Sequence, residues 1–376
     1  MKMTAFVISL LTFLLLICLF ILGCDFVPMF MTWLGRIHIG SFENEKQWKD
    51  KAERVALKWV KKLPKIATTD KTAYTFLPRI KGEYVNKKFN AWQEACLLLA
   101  LKDNEEAKAA AYDFFTKAEL EKQEYTPGNA MLLYALLENG FEKDEKVAAA
   151  AADYCKKALA VAGMSTLPYN KGSDNHYVDV LGMVCPFLVK YHLTYGSNQA
   201  LELVKRQFDE YYEYGMHERT GLPVHCFGIS AKIPRGIYGW GRGCGWLAFG
   251  LAECFRLLDG KESYSAEIKN RLIAYADTVK KYQRKNGSFS FLLGAGNAAD
   301  SSATAMLAYF FTQVEKIKGT GEFAFRAEVA KKYLICVTRR DGKVDFAQGD
   351  SMSGGNYSRR FEPMPAAQAF ALMILK

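Results

Sequence analysis

Hydrophobic positions follow two regimes along the chain. The first is one unbroken run: from Met3 to Cys24 no residue is charged, and Lys2 stands just ahead of it. About 20 apolar residues cross a bilayer as a helix, and a secretory h-region is shorter. The run therefore predicts a membrane anchor or signal segment over 1–34, preferably a retained transmembrane helix. Ile21-Leu22-Gly23-Cys24 loosely resembles a lipobox, which leaves a lipidated start open. In the second regime, 35–376, apolar residues recur at helical spacing, as Trp48, Ala52, Val55, Ala56 and Trp59 do.

That spacing predicts helices over 45–62, 89–101, 105–120, 128–138, 142–162, 177–193, 198–214, 244–258, 262–282, 302–317, 322–337 and 366–375. Pro127 suits a first turn, and Gly163 suits a helix end. Strand signals are confined to short pieces such as 288–293. Long apolar helices in hairpin-like pairs, with no sequence repeat, suit a closed α/α toroid. In such a ring the loops between hairpins gather at one end. The long segments 164–176, 216–242, 285–301 and 339–364 carry most of the Gly, His, Ser and aromatic residues, and loops held by a rigid scaffold are where sites lie.

Composition narrows this picture. Of 376 residues half are hydrophobic and 24% charged, which supplies a large core and excludes a disordered tail. Length alone suggests two domains, but the helical pattern runs on without a break, so one catalytic domain over 35–376 is expected. Nine cysteines without a CxxC pattern make neither a disulfide framework nor a zinc site. No P-loop, dinucleotide-binding glycine motif, HExxH or GxSxG is present, and no metal or cofactor is expected.

The net charge of +10 is compatible with an acidic partner or with an ordinary solvated surface. Arg36, Lys46, Lys49, Lys51 and Arg54 follow the anchor and by the positive-inside rule favour a cytoplasmic domain. Large domains are exported regardless of flanking charge, so the expectation is an extracytoplasmic catalytic domain, with the cytoplasmic face left open.

Three clusters carry candidate chemistry. Asp179 follows Asp174-Asn-His-Tyr-Val178 and precedes an almost wholly apolar helix. An acid among apolar neighbours is a candidate proton donor, or else an ordinary first-turn acid. Next come Thr220-Gly-Leu-Pro-Val-His225 and Gly239-Trp-Gly-Arg-Gly-Cys-Gly-Trp246. Alternating glycines admit close approach, Trp240 and Trp246 offer faces to sugar rings, and Arg242 suits bidentate recognition of a carboxylate. His225 joins this loop cluster. The third is Asp300-Ser-Ser-Ala-Thr-Ala-Met306, with Ser302 and Thr304 as candidate substrate contacts and Asp300 as an alternative helix cap.

These segments, in this order, resemble the unsaturated glucuronyl and rhamnogalacturonyl hydrolases, glycoside hydrolase families 88 and 105. The family's DxLxMxxPFL helix resembles Asp179–Leu188, its TGLxxH resembles Thr220–His225, its WGRGNGW resembles Trp240–Trp246 with Cys244 for asparagine, and its SxTAM resembles Ser302–Met306. The resemblance covers roughly 45–376 and implies an (α/α)6 barrel. It also implies hydration of the C4=C5 bond of a terminal unsaturated uronic acid, with Asp179 as general acid and base and no cofactor. Glu124, in Gln123-Glu-Tyr-Thr-Pro-Gly128, stands where the family has a second aspartate. The partners implied are an anionic oligosaccharide and a membrane, with no nucleic acid. A conventional inverting glycosidase using Asp179 and Glu124, or a sugar-binding protein without catalysis, are the other readings.

Overall fold

The computed structural model describes residues 2–376 apart from 67, 70–74, 86–89, 297 and 352. Among the described residues, six inner positions of a ring are filled by α4 (Ala91–Ala100), α6 (Pro127–Glu138), the pair α8 (Val178–Met183) and α9 (Cys185–Tyr195), α11 (Gly241–Leu258), α13 (Ser301–Lys318) and α15 (Pro365–Met373). Each packs on the next, and α15 packs back on α4, which closes the ring. Every residue of α4, α8 and α15 is buried. Around them lie α2 (Glu45–Lys61), α5 (Glu105–Ala118), α7 (Glu145–Ala162), α10 (Asn198–Tyr214), α12 (Ser265–Val279) and α14 (Glu322–Cys336). These are one-sided: α10 buries Ala200, Leu201, Val204, Phe208 and Tyr211 and turns its charged residues outward. The six-hairpin toroid is as expected.

Polar caps begin these helices where the sequence places them. Asn44, Asn104, Thr126, Ser197 and Asp300 each accept a first-turn backbone N–H, which satisfies donors that a helix start otherwise leaves unpaired. The expected helix over 177–193 is two. Pro186 has no N–H to give and interrupts the ladder, so the chain breaks at Val184 between α8 and α9. The expected start at 89 lies outside the described residues.

The inner N-termini converge at one end, which we term the mouth. A Cβ on Gly128 would meet Trp92, one on Gly241 would meet Ala303, and one on Gly243 would meet Val178. Gln93 accepts a hydrogen bond from the Ala366 N–H at 2.8 Å. Glycine is required at these contacts: a Cβ on Gly245 would lie 2.8 Å from Met306, one on Gly182 2.6 Å from the Trp246 carbonyl, and one on Gly250 2.3 Å from the Leu181 carbonyl. The alternating glycines of 239–246 thus bring helices together, where a ligand was expected.

The mouth also holds the strands that hydrophobic spacing does not show. β1 (Asn175–Tyr177), β2 (Val224–Gly228) and β3 (Pro234–Tyr238) form an antiparallel sheet in that order. A second, two-stranded sheet joins β4 (Ala347–Gln348) to β5 (Phe361–Glu362). The 288–293 segment makes only isolated bridges, Ser290 with Ala299 and Leu292 with Trp240.

The N-terminal run forms α1 (Lys2–Arg36), with none of its residues buried, long and apolar enough to cross a membrane. Its last turn is fastened to the barrel. Arg36 donates to the Asp345 carboxylate at 2.9 and 3.2 Å and to the Phe361 carbonyl at 2.7 Å, and its guanidinium lies 4.2 Å from the Phe346 ring centre. Asp345 is fully buried. Burial, the largest influence, would raise its pKa; hydrogen bonds from Arg36 and Arg339 outweigh it, and the net shift is downward.

Candidate active site

Asp179 is placed by the step from strand to helix. Tyr177 ends β1 in an extended conformation and is the cap of α8, so Asp179 falls in the first buried turn. His225 reaches it from the neighbouring strand. The pairing of β2 with β3 shifts register between Val224 and Cys226, a bulge centred on His225, and bulges re-aim side chains. His225 Nε2 stands 3.5 Å from Asp179 Oδ2. Both residues are buried, and Oδ2 accepts no hydrogen bond from any described residue.

The other imidazole nitrogen is held by a hydroxyl. His225 Nδ1 lies 2.8 Å from the Tyr357 hydroxyl, which itself donates to the Gly354 carbonyl at 2.9 Å. A phenol has one proton to give, so Nδ1 is the donor to Tyr357 and carries the N–H. Nε2, the remaining ring nitrogen, then faces Asp179 Oδ2.

Aromatic rings wall this pair. Tyr177, Trp240 and Tyr357 have ring centres 5.1, 4.2 and 5.3 Å from that of His225, and Tyr169 stands edge-on to Tyr177 at 5.0 Å. Burial first, then the charges of Asp179 and Asp350, push the Tyr169 phenol well above its ordinary pKa. The second of these charges belongs to the 339–364 loop. Burial likewise raises Tyr357.

The remaining predicted residues lie beneath the mouth. Arg242 is 1% exposed; it donates to the carbonyls of Gln348 at 2.6 Å and Gly349 at 2.9 Å, to Ser302 Oγ at 3.4 Å, and lies 4.0 Å from the Asp350 carboxylate. Its guanidinium is spent on the loop that carries Asp350, so the expected role of gripping a substrate carboxylate is corrected. Trp246 is packed between Trp92 and Phe370 with its face in the core. Trp240 abuts His225, but its indole N–H is given to Gln348 Oε1 at 2.8 Å. Asp300 Oδ1 accepts from Ser302 N, Ser302 Oγ and Gln348 N. Thr304 Oγ1 donates to the Asp300 carbonyl and accepts from Phe289 N. Ser302 and Thr304 thus build the wall, and the capping alternative for Asp300 holds.

Glu124 is on the rim. Residues 123–126 are extended up to the proline that opens α6, so successive side chains alternate: Tyr125 is 1% exposed, and Glu124 points to solvent, 3.3 Å from Lys171. It is not brought to the buried Asp179–His225 pair. Sequence reasoning passed over Tyr169, Tyr177, Asp350 and Tyr357; the only signal was that three of them lie in the long loops. Among the described residues no three His, Cys, Asp or Glu side chains converge as metal ligands do.

A closed ring of helical hairpins with a buried acid at its mouth defines the six-hairpin glycosidases as the class. The Glycosyl Hydrolase Family 88 model matches residues 83–374, most of the chain, which therefore belongs to that family and is a glycoside hydrolase. No curated protein matches the chain in sequence. Among solved structures it is similar to a possible member of the GH105 family from Salmonella enterica serovar Paratyphi A, with a TM-score of 0.73 and 17% identity over 89% of this chain and 94% of that one. An unsaturated glucuronyl hydrolase specific for heparin gives 0.67 and 14%, over 87% and 96%. The unsaturated glucuronyl hydrolase of Bacillus sp. GL1, responsible for degradation of glycosaminoglycan, gives 0.62 and 14%, over 87% and 94%. At such identities these likenesses establish the fold.

Proposed function

We propose that the protein hydrates the C4=C5 double bond of a terminal unsaturated uronic acid on an oligosaccharide, with Asp179 as general acid and then general base. The observation that carries this reading is the buried Asp179 Oδ2, unclaimed by any described donor and facing His225 Nε2. Asp179 gives its proton to C4, and the cation at C5 is stabilised by the ring oxygen. Water adds to C5 and its proton returns to the Asp179 carboxylate. The hemiketal opens to a C5 ketone, the C1 hemiacetal expels the next sugar as an alcohol, and one water is consumed. His225, its Nδ1 proton fixed on Tyr357, shares the proton with Asp179 and so holds it near the alkene. Tyr177 supplies apolar surface beside the ring, and the buried Trp240 backs His225.

One group acting twice suits a site in which Glu124 is outside. The domain is held at a membrane by α1, on the extracytoplasmic side; a reporter fused after Lys376 that matures only outside the cytoplasm tests the side. The chemistry is tested with a panel of unsaturated uronyl disaccharides, following the ultraviolet absorbance of the conjugated enol acid. Hydration removes the absorbance as the second sugar appears. Sugar release with the absorbance intact identifies an ordinary glycosidase, and no turnover on a broad panel overturns the proposal.

A further inference from the structure

The end of the barrel to which α1 is fastened is the mouth. Asp345, Phe346 and Phe361, which hold Arg36, belong to the same 339–364 loop that supplies Asp350 and Tyr357 to the site. Met3 to Cys24 as a helix rises about 33 Å, close to the ~30 Å hydrocarbon core of a bilayer. Asp25 then marks the point of emergence, and the remaining turns to Arg36 span about 18 Å. Along this stalk Phe26, Phe30 and Trp33 form a stacked ladder, with centroid spacings of 5.7 and 5.6 Å. Exposed aromatics of this kind gather at membrane interfaces.

A second element reaches the same depth. Helix α3 (Phe76–Lys81) lies against α1: the Phe76 ring is edge-on to Phe20 at 5.6 Å, and Arg79 donates to the Cys24 carbonyl. Its Leu77 and Ile80 are each 66% exposed. Among the described residues outside α1, the exposed large apolar side chains are Ile37, Leu77, Ile80, Met164, Ile233, Tyr195 and Phe325. The first five lie on the stalk junction, α3 and the mouth loops; of these described residues Tyr195 and Phe325 lie elsewhere. Lys81 and Arg359, both exposed, belong to these segments, and cations are the complement of acidic headgroups. Between stalk and rim, a crevice of about 700 Å³ lined in part by Met29, Trp33, Phe346 and Phe361 continues this surface.

We propose that the mouth of the barrel faces an anionic phospholipid surface, with α3 and the stalk aromatics seated in the lipid interface, so that the substrate is a glycan held at that surface. This rests on the reading of α1 as a retained anchor. Both are tested on the full chain in phosphatidylglycerol–phosphatidylcholine vesicles, with a photoreactive phenylalanine analogue placed in turn at Phe13, Leu77 and Phe325. Lipid adducts at 13 and 77 but not 325 are expected. An adduct at 13 without one at 77 overturns the orientation and leaves the anchor; no adduct at 13 overturns the anchor itself. Leu77→Glu with Ile80→Glu leaves turnover of a soluble disaccharide within about twofold and lowers turnover of the same sugar coupled to vesicle lipid at least tenfold. Equal turnover of the two substrates by this variant and the parent overturns the proposal.

Discussion

Two buried carboxylate clusters, one at the mouth and one deeper between the inner helices, differ in how fully their oxygens are hydrogen-bonded. In the deeper cluster Glu253 accepts from the hydroxyls of Tyr134 and Tyr309 and from Arg256, so both oxygens are occupied. Glu138 beside it is met by Arg256 at 2.6 Å, Lys190 at 3.1 Å and Lys102 at 3.7 Å. Burial pushes the Glu138 pKa up, and the three cations more than reverse it. Asp179 is buried as Glu253 is, yet one of its oxygens has no hydrogen-bond partner among the described residues and stands 3.5 Å from His225 Nε2. The saturated carboxylates hold helices together; the unsaturated oxygen of Asp179 is the one the proposed proton transfer uses.

Asp179→Asn breaks the comparison most sharply. A general acid–base group contributes about 10²- to 10⁴-fold, so kcat is expected to fall about a thousandfold while the melting temperature holds. An unchanged kcat removes Asp179 from the mechanism. Glu253→Gln makes the opposite cut: one of the two buried hydroxyls, Tyr134 or Tyr309, meets an amide N–H in place of an acceptor oxygen, which costs about 2 kcal/mol of stability, read by denaturant unfolding, and the kcat of the folded fraction is preserved.

Glu94 on α4 sharpens the contrast in a third place. Neither of its oxygens has a described partner, and burial pushes its pKa up to about 9. Between its ordinary value near 4.5 and about 9 the folded chain keeps a proton that the unfolded chain releases, so stability falls as pH rises through that window. The slope is about 1.4 kcal/mol per pH unit at most. Glu94→Gln removes the slope, which unfolding curves across the window detect. Tyr357→Phe frees the His225 tautomer; kcat is expected to drop about tenfold with KM constant and the pH–rate profile displaced. Glu124→Gln, at the rim, is expected to change kcat by less than about twofold, as steady-state kinetics would show.

What the sequence revealed followed from local rules. The inner helices are apolar on all sides and the outer ones on a single face, so spacing alone marks the ring. Asp179 stood out as a candidate because it opens an almost wholly apolar segment. The partners of Arg242 were not, since Gln348 and Gly349 lie more than a hundred residues further on. An arginine among glycines reads equally as a ligand clamp or as a loop clamp until the returning loop is placed. Tyr357 and the His225 bulge were hidden for the same reason: both depend on pairings between distant loops.

The glycines of α11, with Gly182 on α8, act together as a drawstring. Each lets α11 come closer to α8 or α13 than a methyl group would permit, at two of the ring's six junctions. The width of the mouth then depends on how tightly the hoop is drawn there as well as on the loops above it. A single added methyl group at one of these crossings would let the hoop out, widening the aperture without altering any side chain that lines it.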